Sequence, residues 1–218
     1  MNDKRKKIIV SVLLIMVLAI GGTSFYYWYE NNYYVTSEDA KVTGDIYRVS
    51  PQVVGKIVEI DLQEGQKVEK DQILVRQEVT SLPPGANLDL AALKAPINGL
   101  IVKRQGNVGE LVAPGQALMM IVNPDNLYIN TNIEETKLGK IQSGQKVDIT
   151  IDQYPGKKFT GKVISIGQAT NATFSLLPTS TSGNFTKVVQ KVPVKISLDK
   201  TGEKLLPGTS AIVKIYVK

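Results

Sequence analysis

The 218-residue chain contains no cysteine and no histidine. Those absences remove disulfides, a thiolate nucleophile, thiolate or imidazole metal ligation and a histidine general base. They also remove the modified cysteine that a bacterial lipoprotein needs. A strong charge of either sign is missing too. Net charge is +6, and the first seven residues hold Lys4, Arg5, Lys6 and Lys7 against Asp3, a net +3. The +3 left on the rest of the chain is too little for a nucleic-acid footprint. No G-x-S-x-G elbow and no P-loop occurs. After residue 30 no apolar run approaches the 18 or so residues of a membrane span.

The one long apolar run comes first. Ile8 to Ser24 carries no charge over 17 residues, and Phe25-Tyr26-Tyr27-Trp28-Tyr29 follows directly. As a helix, Ile8 to Tyr29 would reach about 33 Å, against a hydrocarbon core of about 30 Å. The aromatic cluster fits an interfacial belt, and the basic cluster ahead of it should remain cytoplasmic. A cleaved signal peptide shares the basic start, but Ala19-Ile20-Gly21-Gly22-Thr23-Ser24 is a poor cleavage site and the belt lies beyond it. A retained single-pass anchor with the body outside is the expectation, with Glu30 to Asn32 as a short polar exit.

The second feature is an internal repeat. Gly55 to Leu74 recurs at Gly99 to Leu118, offset by 44 without a gap, with identities at Gly55/Gly99, Ile57/Ile101, Val58/Val102, Gly65/Gly109, Val68/Val112, Gln72/Gln116 and Leu74/Leu118. Two short β-rich copies predict two halves of one flattened barrel, neither able to bury its apolar face alone. Gly65 and Gly109, each in G-x-x-V after a strand, are expected in tight turns with positive φ. Between the halves, Val79 to Ala92 contains Pro83-Pro84-Gly85 and is a short connection with at most a helical turn from Asn87 to Leu93. Beyond Asp125 the pattern is again β: about six strands and a short helix at Glu134 to Ile141 predict a second small barrel. Pro193 places the strand after Val188 at an edge or bulge.

Several of these stretches resemble one group. Asp39-Ala40-Lys41-Val42 with Gly44, Val49-Ser50-Pro51-Gln52-Val53-Val54-Gly55, Ala95-Pro96-Ile97-Asn98-Gly99 and Leu206-Pro207-Gly208 are similar to HlyD-type membrane fusion proteins (periplasmic adaptors), EmrA-like branch. The most specific part is Phe174-Ser175-Leu176-Leu177-Pro178 followed by Gly183-Asn184-Phe185-Thr186-Lys187-Val188-Val189-Gln190 and Pro193-Val194. The resemblance implies a mainly β fold: an N-terminal transmembrane helix, a lipoyl-like barrel-sandwich hybrid built from two half-motifs, then a small β-barrel. The implied division is a cytoplasmic tail (1–7), an anchor (8–29), a membrane-proximal linker and strand (30–48), the barrel-sandwich (49–124, with the short 79–92 connection) and the barrel with membrane-proximal strands (125–218). It also implies a non-enzymatic adaptor in drug or toxic-compound efflux, without cofactor or metal, working in the cell (inner) membrane beside a transporter, usually a major facilitator drug/proton antiporter. A homo-oligomer is expected. The family's long α-helical hairpin is replaced here by the 14-residue connection, so docking to an outer-membrane channel through a hairpin is not expected.

Other function classes fit the residues less well. A lipoyl or biotinyl carrier needs a lysine at the turn joining the halves, and Val79 to Ala92 has none; Lys94 falls at the start of the next strand. For an enzyme, Glu134-Glu135, Asp148/Asp152 and Asp199/Glu203 are the available carboxylates, and solvated surface charge explains them. An anchored structural or cell-envelope binding protein remains a third class. In the loop from Thr170 to Thr186, Phe174, Leu176, Leu177 and Phe185 are unusually apolar and form the candidate partner or assembly contact.

Overall fold

The computed structural model describes residues 3–79, 88–174 and 189–217. In chain order the elements are α1 (Asp3–Tyr33), β1 (Tyr34–Thr43), β2 (Ile46–Val49), β3 (Gly55–Glu59), β4 (Lys67–Val68), β5 (Ile73–Val79), β6 (Ala92–Lys94), β7 (Gly99–Arg104), β8 (Leu111–Val112), β9 (Met119–Val122), β10 (Tyr128–Glu134), β11 (Lys146–Ile151), β12 (Lys158–Ile166), β13 (Lys191–Ser197) and β14 (Ser210–Tyr216). The chain forms two compact units. One holds residues 1–41, 129–199 and 210–218, the other residues 42–128 and 200–209.

In the second unit the sequence repeat becomes a structural one. Its two four-stranded sheets run β2-β9-β7-β4 and β6-β5-β3-β8. Shifting by 44 residues exchanges β3 with β7, β4 with β8 and β5 with β9, and so turns one sheet into the other. The hydrogen bonds obey the same exchange. Gly65 N–H donates to Ile101 O at 2.8 Å and Gly109 N–H to Ile57 O at 2.7 Å; Ile101 N–H donates to Gln66 O at 3.0 Å and Ile57 N–H to Glu110 O at 2.9 Å. Each half therefore completes the other's ladder.

The sandwich core is built from the same pairs: Ile57/Ile101, Val68/Val112 and Leu74/Leu118 are all buried, joined by Val49, Leu93 and Ile121. A buried aliphatic side chain of this size is worth about 1.5–3 kcal/mol, so neither half would keep its core if separated. Gly65 (φ +87) and Gly109 (φ +92) occupy the expected left-handed turns. Gly55 and Gly99 have a different task. A Cβ on Gly99 would stand 2.5 Å from Val122 O, and one on Gly55 would stand 2.8 Å from Glu78 O, the corresponding carbonyl. The connection between the halves ends in a single 3-10 turn, Leu88–Ala91, and Lys94 lies within β6, paired with Ile73.

In the first unit six strands close into a barrel of order β1-β10-β13-β12-β11-β14. The strand expected after the anchor is β1, one of the six. Alternation of buried and exposed residues along β11, β13 and β14 places Val147, Ile149, Ile151, Val192, Val194, Ile196, Ala211, Val213 and Ile215 inside. The structure qualifies three expectations. Closure leaves β13 between β10 and β12, so Pro193 is not on an edge strand. Its carbonyl accepts from Gly167 N–H at 2.8 Å, and the β12–β13 register shifts between Val163 and Ser165, so the bulge alternative stands while the edge one does not. The short helix expected at Glu134 to Ile141 is present, as the 3-10 helix Glu135–Lys140. The polar exit Glu30 to Asn32 is helical, because α1 continues to Tyr33 and β1 begins at the next residue.

Candidate functional site

Two features of the barrel meet at the end from which α1 departs. The first is the base of the loop that joins β12 to β13. Phe174 ends a short 3-10 turn (Asn171–Phe174); Leu176, Leu177, Phe185 and the Phe174 side chain lie outside the described residues. The flanks of that loop are described, and both lead to one carboxylate. On the near side, Asn171 Nδ2 donates to Asn132 Oδ1 at 2.9 Å, and Asn132 Nδ2 donates to Asp39 Oδ1 at 3.2 Å. On the far side, Lys191 Nζ donates to Asp39 Oδ2 at 2.7 Å.

Asp39 can serve both because the β1–β14 register shifts between Ser37 and Ala40. Such a bulge re-aims side chains that a regular ladder would hold in alternation. The freed groups are satisfied locally: Asp39 N–H donates to Ser37 Oγ (3.2 Å), Ser37 Oγ to Asn132 O (2.9 Å) and the buried Thr131 Oγ1 to Asp39 O (3.1 Å). The hydrogen bond from Lys191 holds the Asp39 carboxyl below its ordinary value, with partial burial opposing and Asn132 and the Lys191 and Lys41 charges assisting. The same bond raises Lys191. A carboxylate so held is a fixed anion rather than a proton acceptor, so its role is positional. A cleft of about 280 Å³ opens beside it, lined by Thr36, Glu38, Asn132, Glu134 and Lys137 among others.

The second feature is the junction with α1. Three parts of the barrel rim grip the last helical turn. Lys214 of β14 places Nζ 2.6 Å from Glu30 Oε1 and 4.0 Å from the centroid of the Tyr34 ring. Lys140 of the 3-10 turn donates to Asn31 O at 2.8 Å, and Val217 N–H donates to Tyr33 O at 3.0 Å. Cations and donors at the last carbonyls complement the negative end of the helix dipole. Tyrosines surround the junction: Tyr29 stacks on Tyr33 at 4.5 Å, and Tyr34 meets Tyr216 edge-on at 5.1 Å. Tyr216 OH donates to Asp148 Oδ2 at 2.6 Å, which pushes its pKa up to about 12. Below the junction, Val12–Tyr33 is long and apolar enough to cross a membrane, with a mean hydropathy of 1.6. Its large apolar side chains from Val12 to Trp28 are each more than half exposed. Such a surface calls for an apolar surrounding.

The carboxylates weighed for catalysis are spread through other interactions. Glu134 pairs with Lys137 at 3.0 Å, Asp148 accepts from Tyr216, and Asp199 accepts from Thr160 Oγ1. Among the described residues, no group of three or more acidic side chains is placed to hold a metal ion.

Comparison with known proteins finds two family models along the chain. Residues 45–124 match the model of the RND MFP barrel-sandwich hybrid domain, and residues 127–215 match the YknX-like beta-barrel domain. The chain is 41% identical over 182 residues to the Bacillus subtilis protein named "Putative efflux system component YhbJ", covering 83% of this chain and 79% of that one. It is 34% identical over 157 residues to the multidrug export protein EmrA of Escherichia coli, covering 69% of this chain but only 40% of that one. Among solved structures, the periplasmic adaptor protein EmrA aligns with a TM-score of 0.55 at 16% identity, over 84% of this chain and 98% of that one. At that identity the likeness concerns the fold alone.

Proposed function

Because the chain belongs to the membrane fusion proteins, in the EmrA-like group and without a long helical hairpin, we infer that it is the membrane-anchored, non-catalytic adaptor subunit of a drug or toxic-compound efflux system. It works beside an integral membrane transporter, a major facilitator drug/proton antiporter being the simplest partner. α1 is its single span, with the basic N-terminus cytoplasmic and both β units outside the cell membrane. The observation that carries this reading is the unbroken passage from a membrane-length helix into the first strand of the barrel, Tyr33 to Tyr34. A helix used in this way tethers the β units to one membrane face. Tethering raises their local concentration at a transporter without requiring strong contacts.

Phe174, Leu176, Leu177 and Phe185 are the proposed contact with the transporter or with a second copy of the chain in a homo-oligomer. The polar chain from Asn171 through Asn132 and Asp39 to Lys191 supports that role, because it fixes both flanks of the loop to the barrel. The connection between Val79 and Ala92 leaves no room for a hairpin reaching an outer-membrane channel. Its lack of lysine, with Lys94 inside β6, weighs against a lipoyl or biotinyl carrier.

The test is detergent co-purification of the full chain from its own host, with the partner identified by mass spectrometry. A polytopic transporter recovered in stoichiometric amount is expected, and deleting either gene should cause the same loss of resistance. Recovery of cell-wall components without a transporter would instead favour an anchored envelope-binding protein.

A further inference from the structure

We propose that the α1 end of the barrel is a lipid-facing surface, whose tyrosines lie in the headgroup layer and whose lysines take the phosphates of anionic phospholipids. This rests on the reading that α1 spans the bilayer. It goes beyond that reading by giving the barrel itself a membrane contact.

Lys214 and Lys140 reach down to Glu30 and Asn31, and Val217 is bonded to Tyr33. With a rise of 1.5 Å per residue, Glu30 and Asn31 lie about 3 and 4.5 Å beyond Trp28, and Tyr33 about 7.5 Å beyond it. The polar layer on each side of the hydrocarbon is itself about 5–7 Å deep. Trp and Tyr side chains gather at the hydrocarbon boundary. With Tyr27 and Trp28 there, the ammonium groups of Lys140 and Lys214 fall inside the headgroup layer, and Tyr34 and Tyr216 lie at its outer part. No linker lifts the barrel away, since strand follows helix without an intervening residue.

The chemistry of the rim suits that depth. The Tyr29–Tyr33 and Tyr34–Tyr216 pairs continue the aromatic belt from the helix onto the barrel. An ammonium group has three donors. Lys140 gives one to Asn31, Lys137 pairs with Glu134 on the same turn, and Lys146 is exposed at the start of β11. Phosphate oxygens are the acceptors that the headgroup layer offers to the rest. Lys214, held between Glu30 and the Tyr34 ring, belongs to the clasp instead.

The chain's lack of cysteine and its single tryptophan make the test direct. The full chain is reconstituted in nanodiscs of phosphatidylcholine, with and without phosphatidylglycerol. Trp28 quenching by brominated acyl chains reports whether α1 is inserted. A fluorophore is attached to Gln142→Cys, on the rim loop, or to Pro155→Cys, on the turn at the far end of the barrel. A lipid with a nitroxide on its headgroup is the quencher. We expect strong quenching at position 142 and little at 155. The signal at 142 should rise with phosphatidylglycerol, and a combined Lys137→Gln, Lys140→Gln, Lys146→Gln variant should lose that rise. Equal quenching at 142 and 155 with Trp28 quenched overturns the proposal and leaves the anchor intact. Quenching at 142 that is indifferent to phosphatidylglycerol overturns the anionic-headgroup assignment. An unquenched Trp28 removes the anchor, and this inference with it.

Discussion

Lys191 Nζ lies 2.7 Å from Asp39 Oδ2, joining residues 152 positions apart and holding the far flank of the β12–β13 loop to the bulge in β1. Asp39 is lowered below 3.8, so its contribution is complete above that value and lost as pH falls through its native pKa. Lys191 is raised above 10.5, so its contribution is complete below that value and lost as pH rises through its native pKa. The pair thus holds across the neutral range. Both side chains are nearly half exposed, so the effect is small and screened by salt. Thermal melts at pH 7 and pH 3 should differ less in Asp39→Asn than in the unmodified protein. Identical pH dependence in the two would refute the role given to this pair.

Gly109→Val should destabilise the sandwich by about 1 kcal/mol or more, because a β-branched residue is costly at positive φ. A Cβ at Gly109 meets only Lys56 Cε, at 3.9 Å, so the loss is conformational and not steric. Gly109→Asn, a residue tolerated there, should cost clearly less. Urea denaturation of the two variants separates them, and equal losses would argue against the turn as the cause.

At Gly99 the cause is the opposite one. Gly99→Ala drives a methyl group against the Val122 carbonyl and should cost about 1–3 kcal/mol, as overpacking does. Gly55→Ala, facing Glu78 O at 2.8 Å rather than 2.5 Å, should cost less. Denaturation midpoints should fall further for Gly99→Ala than for Gly55→Ala, and the reverse order would contradict this steric account.

Tyr216 should be among the last tyrosines to ionise. Its hydrogen bond to Asp148 raises its pKa to about 12 from 10.0. The corresponding stability is present in full below pH 10 and is lost as pH climbs through about 12. A spectrophotometric titration of Tyr216→Phe against the unmodified protein should remove a phenolate near pH 12. Removal of one titrating near 10 would contradict the Tyr216–Asp148 bond.

Replacing Phe174 and Leu177 with Ser should lower drug resistance without lowering the melting temperature of either β unit. Unchanged resistance at equal membrane abundance would remove these residues from the contact.

Periodicity and local backbone chemistry are legible along the chain alone. An apolar run of membrane length, a gapless 44-residue offset and G-x-x-V turns each depend on neighbours in the chain, and a local pattern records such dependence. For that reason the turns at Gly65 and Gly109 are written in the sequence. The resemblance carried the adaptor family for the same reason, through contiguous strings. Relationships between distant positions arise only in the folded molecule. Glu30 to Asn32 is polar enough to end a helix, yet it stays helical because Lys140 and Lys214, more than a hundred residues later, satisfy its last turn. Pro193 reads as an edge or bulge residue, and only barrel closure, with neighbours on both sides, removes the edge. The joining of Asn171 and Lys191 through Asp39 depends on a bulge that shifts register by pairing two strands, and no stretch of chain spells out its own partner.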